Sequence, residues 1–256
     1  MDGQMYQVCR IVAAAKSALV KQTSLDFTHI PYESKIEFEF LSQENSPEGR
    51  PTTVQGVADW FACCTKKGLQ DVKLLVPVSV EDRGLLGFSN TTKSTIVCFY
   101  AEQVTYFVAH WTFDPEKEAW NVLYTEHEWK DAPPGKPRFE DESANFGVVL
   151  SKIKDFACRI DCYEFAETFQ QAIDILENGS RNIDEEYGLP LPSIPERNLH
   201  IFEAASAADV FGAMGSWNDS PPYMAAEKNL SDECNELSDE LLKQLRLAIL
   251  YAINEW

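Results

Sequence analysis

The residues best suited to chemistry are concentrated between positions 105 and 129, where the chain places two of its four histidines and three of its six tryptophans. Asp114 and Pro115 predict a turn at this point, because proline fixes φ at the first central position of a β-turn. Folding the chain back there predicts a β-hairpin in which Phe113 faces Trp120 and Trp111 faces Val122. We expect the hairpin to form part of a β-sheet.

Alternation of side chains along a strand divides this hairpin into two faces. The first face is apolar, and we expect it to be buried against helices; it comprises Phe107, Ala109, Trp111, Phe113, Trp120, Val122 and Tyr124. The second face mixes polar and aliphatic residues, with Tyr106, His110 and His127 as candidate binding residues, and it either lines a ligand cleft or faces solvent. His110 and His127 fall four residue pairs apart, about 13 Å at about 3.3 Å per residue, so they cannot share one metal ion.

Seven cysteines raise the possibilities of zinc binding and nucleophilic catalysis. Cys158 and Cys162 are four residues apart, as on one face of a helix, but no second pair lies nearby, which favours buried apolar cysteines over zinc ligands. Cys63 is the more exposed of the adjacent pair at 63 and 64, and nothing local would activate its thiol. The chain also lacks GxSxG, GxGxxG, Walker A and HExxH patterns. We therefore predict no metal and no cofactor, and the sequence identifies no catalytic residue.

The segment from Gly215 to Pro222 is a second candidate for binding. It places Trp217 in a turn-rich stretch beside Asn218 and Asp219, and tryptophan is enriched at binding hot spots. The alternative is structural, with the Trp217 ring covering the helical core and the two polar residues serving as caps. The acidic run at 184–186 is either a solvated loop or a contact point for a basic partner.

The formal net charge is −19, from 41 acidic and 22 basic residues. This charge disfavours nucleic-acid binding and binding to an anionic membrane surface. It favours positively charged partners, although acidity can also serve only to keep a bacterial-type protein soluble. The first 22 residues lack the basic start of a signal peptide, and no stretch is apolar enough to span a membrane. We expect a cytoplasmic location.

The surrounding pattern predicts an α+β fold. Residues 1–140 are expected to form an antiparallel sheet of about five strands with two N-terminal helices, and residues 141–256 a mostly helical part, either separate or packed on the same core as a single domain. Thr53 is expected to cap the second helix, and Pro77 to place its strand at a sheet edge or in a bulge. Asp161 is expected to cap the helix after it, and another helix is expected near 204–214.

These observations lead to two hypotheses of function. The first is a non-catalytic cytoplasmic binding protein, immunity-like or adaptor-like, that engages another protein, by charge a basic one, through an acidic surface. The second is a small-molecule-binding protein or an enzyme, with its cleft on the face of His110 and His127 or between the sheet and the C-terminal helices.

Overall fold

The computed structural model describes residues 1–41, 51–91, 93–179, 191 and 194–256. The acidic run at 184–186 and most of the proline-rich segment after it lie outside these residues. The helices are α1 (Gly3–Lys21), α2 (Val57–Lys66), α3 (Ser143–Arg159), α4 (Tyr163–Asn178), α5 (Glu196–Ala208), α6 (Ser220–Glu227) and α7 (Ser231–Asn254). The strands are β1 (Glu33–Phe40), β2 (Thr52–Gln55), β3 (Asp71–Leu75), β4 (Thr95–Phe99), β5 (Val104–Asp114) and β6 (Ala119–Glu128).

The described strands form one mixed sheet in the order β2-β1-β6-β5-β4-β3. The α+β class is confirmed, but the expected antiparallel sheet of about five strands differs from the observed sheet in two respects. Strand β1 pairs with β6 in the parallel direction, and β2 adds a sixth strand beside β1. Strand β2 was missed because Thr53 was predicted as the N-cap of α2. Thr53 lies in β2 instead, and Gly56 occupies the N-cap with φ of +81°, a conformation that glycine adopts without strain.

The predicted hairpin is confirmed in its register. Strands β5 and β6 are antiparallel, with Phe113 opposite Trp120 and Trp111 opposite Val122. The face that carries Phe107, Trp111, Val122 and Tyr124 is buried, and we call it the inner face of the sheet. The side chains of the outer face belong to Tyr106, Val108, His110, Thr112, Asn121, Leu123, Thr125 and His127.

Helix α1 lies between the inner face of the sheet and the C-terminal helices. Every residue from Met5 to Ala18 is buried. On one side the Tyr124 hydroxyl of β6 donates a hydrogen bond to Gln7 Oε1 at 2.6 Å, and on the other the Tyr6 ring packs 6.1 Å from that of Phe202 in α5. The polar side chains of this buried stretch have partners: Gln7 donates to Glu33, Arg10 donates to the Thr28 carbonyl, and Lys16 forms an ion pair with Asp71. The hydrophobic core accordingly contains residues from both sides of position 140.

The edge strand β3 is held by the end of α7. The Asn254 side chain accepts a hydrogen bond from the Leu74 backbone N–H at 2.9 Å and donates one to the Leu74 carbonyl at 2.8 Å. The Asn254 side chain thus makes with Leu74 the two hydrogen bonds that a neighbouring strand would make. Covering an edge in this way protects it from pairing with other chains. The expectation that Pro77 marks an edge strand is confirmed. Strand β3 ends at Leu75, shortly before Pro77, and it is the outermost strand on one side of the sheet.

Three details of the helical part differ from expectation. Cys162, not Asp161, is the N-cap of α4; Asp161 has a positive φ of 61°, and its carboxylate pairs with Lys228. The helix expected near 204–214 runs from Glu196 to Ala208. Helix α6 was not anticipated, because the proline pair that opens it read as loop, whereas proline fits the first helical turn.

Candidate functional site

Trp217 lies in the core and not on the surface. Its side chain is 0% exposed, and its indole N–H donates to Ser238 Oγ at 2.8 Å. The rings of Phe165 and Phe169, both from α4, meet it edge-on at centroid distances of 5.2 and 5.3 Å. The interpretation of Trp217 as an exposed binding residue is therefore corrected, because an indole enclosed in this way contacts no partner directly.

Asn218 and Asp219 hold their own loop together. The Asn218 side-chain amide donates to the Arg83 carbonyl at 2.9 Å, which ties this loop to residues 83–91. The Asp219 carboxylate accepts a hydrogen bond from the Gly215 backbone N–H at 2.9 Å. Both residues thus have a structural explanation, and their contribution to binding stays a prediction.

Tyr106 and His127 lie opposite each other on the outer face of the sheet. Their rings stack with centroids 5.2 Å apart, and the Trp129 ring meets Tyr106 edge-on at 6.4 Å. His110 pairs with Leu123, four positions from Tyr106 along β5, as expected from the sequence. His110 and His127 are both exposed. The structure does not bring the two histidines together.

The cysteines do not form a reactive centre. Cys9, Cys64, Cys98 and Cys234 are buried, and burial raises the thiol pKa of Cys9, Cys98 and Cys234. A raised pKa keeps a thiol protonated and so less nucleophilic. Within the described part of the chain, no three His, Cys, Asp or Glu side chains are placed to hold one metal ion.

One buried carboxylate has an unusual environment. Glu33, at the start of β1, accepts hydrogen bonds from Gln7 Nε2 at 2.8 Å and from the Ile30 backbone N–H at 2.9 Å. Burial raises its pKa, and these hydrogen bonds and the nearby charge of Arg10 oppose that rise. The arrangement connects α1 to β1 and, through Gln7, to Tyr124, so we assign it a role in stability.

An aromatic cavity of about 200 Å³ opens where the end of the hairpin overhangs the start of α1. Its walls include four aromatic side chains from three separate segments: Tyr32, Phe88, Trp111 and Trp120. Phe88 is 58% exposed, and Phe113 beside Trp120 is 48% exposed. Large apolar side chains at the rim of an open cavity are typical of binding sites.

The loop that carries Phe88 is held in place on both sides of this residue. The Asn90 side chain makes two hydrogen bonds to the Trp111 backbone, at 2.7 and 3.0 Å. Gly87 has φ of +91° and lies so close to the backbone of Gly212 and Ala213 that a β-carbon would collide with it. The aromatic cavity is therefore preformed, and the loop of Trp217 supports it from behind.

A second feature is the outward side of α4. Four exposed carboxylates lie along the solvent-accessible part of this helix, which contains no lysine or arginine. Its buried residues are Ala166, Phe169, Ala172 and Leu176. The carboxylates belong to Glu164, Glu167, Asp174 and Glu177, and none of them forms an ion pair with another described residue. We call this the acidic face of α4.

Comparisons of the chain with protein-family models, curated proteins and solved structures found no match. Among the helices that the structure describes, none is both long and apolar enough to cross a membrane.

Sequence reasoning missed the aromatic cavity for an identifiable reason. Trp111 and Trp120 were assigned to the core by their face of the hairpin, and Trp111 is indeed only 4% exposed. The hairpin extends beyond the helix that it covers, so Trp120 stays partly exposed at its end. The only signal in the sequence was the number of aromatic residues so close to a turn.

Proposed function

We propose that the protein is a non-catalytic binding protein that engages a basic protein partner through an acidic surface. The observation that carries this proposal is the acidic face of α4, which presents four carboxylates over about 20 Å at 1.5 Å per residue with no cation in the helix. An immunity-like or adaptor-like role fits a protein of this kind, because both depend on surface complementarity and not on chemistry.

The distribution of charge supports this surface over a general role in solubility. Elsewhere on the described surface, acidic residues often pair with cations, as in the ion pairs of Glu233 with Arg159 and of Asp239 with Arg83. The carboxylates of α4 repel one another, and within the described ranges no cation pairs with them. A basic partner would relieve this repulsion and would be steered toward the surface by it.

The proposal is tested by affinity purification from the native cell, comparing two variants of equal charge. In the first, the acidic face of α4 is neutralised by Glu164→Gln, Glu167→Gln, Asp174→Asn and Glu177→Gln. In the matched control, the same change of four charges is made at exposed carboxylates of the sheet region, by Asp26→Asn, Glu102→Gln, Glu128→Gln and Asp131→Asn.

We expect a basic protein to co-purify at low salt with the wild type and with the control variant, and to be lost with the α4 variant. We also expect it to be lost at high salt, because ions screen exposed charges within about 10 Å at 0.1 M. The proposal fails if no protein depends on the α4 carboxylates, or if every partner is retained regardless of salt.

The alternative is a small-molecule-binding protein or an enzyme. The face of His110 and His127 offers this alternative two separated histidines on an open surface. The aromatic cavity is the better location for a ligand, because it is concave and four aromatic side chains line it. A metabolite that co-purifies with the wild type and is lost on changing Trp120 would favour this alternative.

A further inference from the structure

We propose that the aromatic cavity binds the cationic end of an arginine side chain. That this arginine belongs to a basic protein rests on the function proposed above. The cavity and its preference for a cation are inferred from the geometry of the cavity itself. The aromatic cavity is separate from the acidic face of α4, since no residue of α4 lines it.

The first argument is the arrangement of the aromatic rings. The rings of Trp111 and Trp120 stand at 70° to each other with centroids 6.2 Å apart, so they form two walls of a corner. Tyr32 and Phe88 contribute further ring surface from the β1 side and from the loop. Cations bind over aromatic faces, with tryptophan the strongest, and the planar guanidinium group also stacks on such rings.

The second argument is the charge of the lining. Asp2 is the only ionisable acid or base among the described lining residues apart from the weakly acidic Tyr32, and no lysine, arginine or histidine is present. Asp2 caps α1 by accepting hydrogen bonds from the backbone N–H groups of Gln4 and Met5. The lining residues therefore include one carboxylate and no cationic side chain.

The volume agrees with one side chain. A cavity of about 150 Å³ lined by apolar residues accommodates benzene, and the aromatic cavity measures about 200 Å³. The space is sufficient for a guanidinium group with part of its aliphatic stem, but not for a nucleotide or another large cofactor. The site thus binds a single side chain, and the exposed rings of Phe88 and Phe113 contact the neighbouring residues of the bound peptide.

The experiment compares two blocked tripeptides, acetyl-Gly-Arg-Gly-amide and its citrulline counterpart, on the full chain. Citrulline has nearly the shape of arginine but no charge. Binding is followed through the indole N–H resonances of the ¹⁵N-labelled protein. We expect the arginine peptide to shift the Trp111 and Trp120 resonances and to bind about fivefold more tightly than the citrulline peptide, the effect expected of a cation over partly exposed rings.

Variants locate the effect. Trp120→Leu should remove most of the preference for arginine, whereas Trp129→Leu, on the outer face of the sheet, should leave it unchanged. Asp2→Asn retains a side chain that caps helices well and removes the charge, so it should weaken the arginine peptide severalfold and the citrulline peptide little. Phe88→Ala changes an exposed side chain and gives an independent result if Trp120→Leu fails to fold.

Equal affinity for the two peptides, or no shift of Trp111 and Trp120 at any attainable concentration, would overturn the inference. Tighter binding of the citrulline peptide would also overturn it and would indicate a site for neutral ligands. These outcomes leave the α4 proposal intact, because the purification experiment does not depend on the aromatic cavity. Conversely, if neutralising α4 does not affect the partner, a measured preference for the arginine peptide would still support the aromatic cavity as a binding site.

Discussion

Trp217 provides the most direct test of how the helical part is built. Its ring is fully enclosed, meets two phenylalanines of α4 edge-on, and donates a hydrogen bond to Ser238. Truncating a buried tryptophan to alanine costs about 3–5 kcal/mol. Trp217→Phe retains most of the apolar ring and loses the hydrogen bond, worth about 0.5–1.5 kcal/mol net, together with part of the packing. We expect a loss of about 2 kcal/mol for this variant.

The assay is urea unfolding at fixed protein concentration, with the midpoint compared at a common slope. A double-mutant cycle with Ser238→Ala separates the hydrogen bond from the packing, because the two changes should be non-additive if the bond exists. Trp129→Ala, at a partly exposed position, should cost less than Trp217→Ala. A loss below about 1 kcal/mol for Trp217→Ala would refute the buried position and restore this residue as a candidate for binding a partner.

Three further predictions concern buried or reactive groups. Burial raises the pKa of Glu33. Its contribution to stability should therefore be fully present below the ordinary glutamate pKa of about 4.3 and lost as pH rises through the raised pKa of the folded state. Glu33→Gln should flatten the pH dependence of the unfolding free energy in this window, and an unchanged pH profile would contradict the assignment. Asp82→Ala removes the two hydrogen bonds, both 2.9 Å long, that Arg246 donates to this carboxylate, and it should cost about 3–5 kcal/mol in urea unfolding. A cost under about 1 kcal/mol would place the pair in solvent. Cys158 is exposed and should be alkylated first in the folded protein, as mass spectrometry of the wild type and of Cys158→Ser would show; faster labelling of a buried cysteine would contradict the packing.

The part of the fold that the sequence predicted well is local. The register of β5 and β6 follows from one turn at Pro115 and from alternation of apolar residues, so the pairs of Phe113 with Trp120 and of Trp111 with Val122 could be named in advance. The helices with clear apolar stripes were also recognised, since a stripe reports which side is buried.

What could not be predicted depends on contacts between distant segments. The parallel pairing of β1 with β6 joins Ile36 to Val122, and no local pattern distinguishes it from an antiparallel pairing. The aromatic cavity requires Tyr32, Phe88 and Trp111 to meet, although they are far apart in the chain. The burial of Trp217 similarly depends on α4, because the turn-rich sequence around it is equally compatible with an exposed loop.

Attraction of a basic partner by the acidic face of α4 can be measured directly. The measurement is the association rate of the captured partner with the wild type, with the α4-neutralised variant and with the control variant of equal charge, over a range of salt concentrations. We expect an association rate about tenfold lower for the α4 variant at low salt, with the three proteins converging at high salt. Equal rates for the two variants at low salt would contradict it, because net charge alone, and not this helix, would then control association.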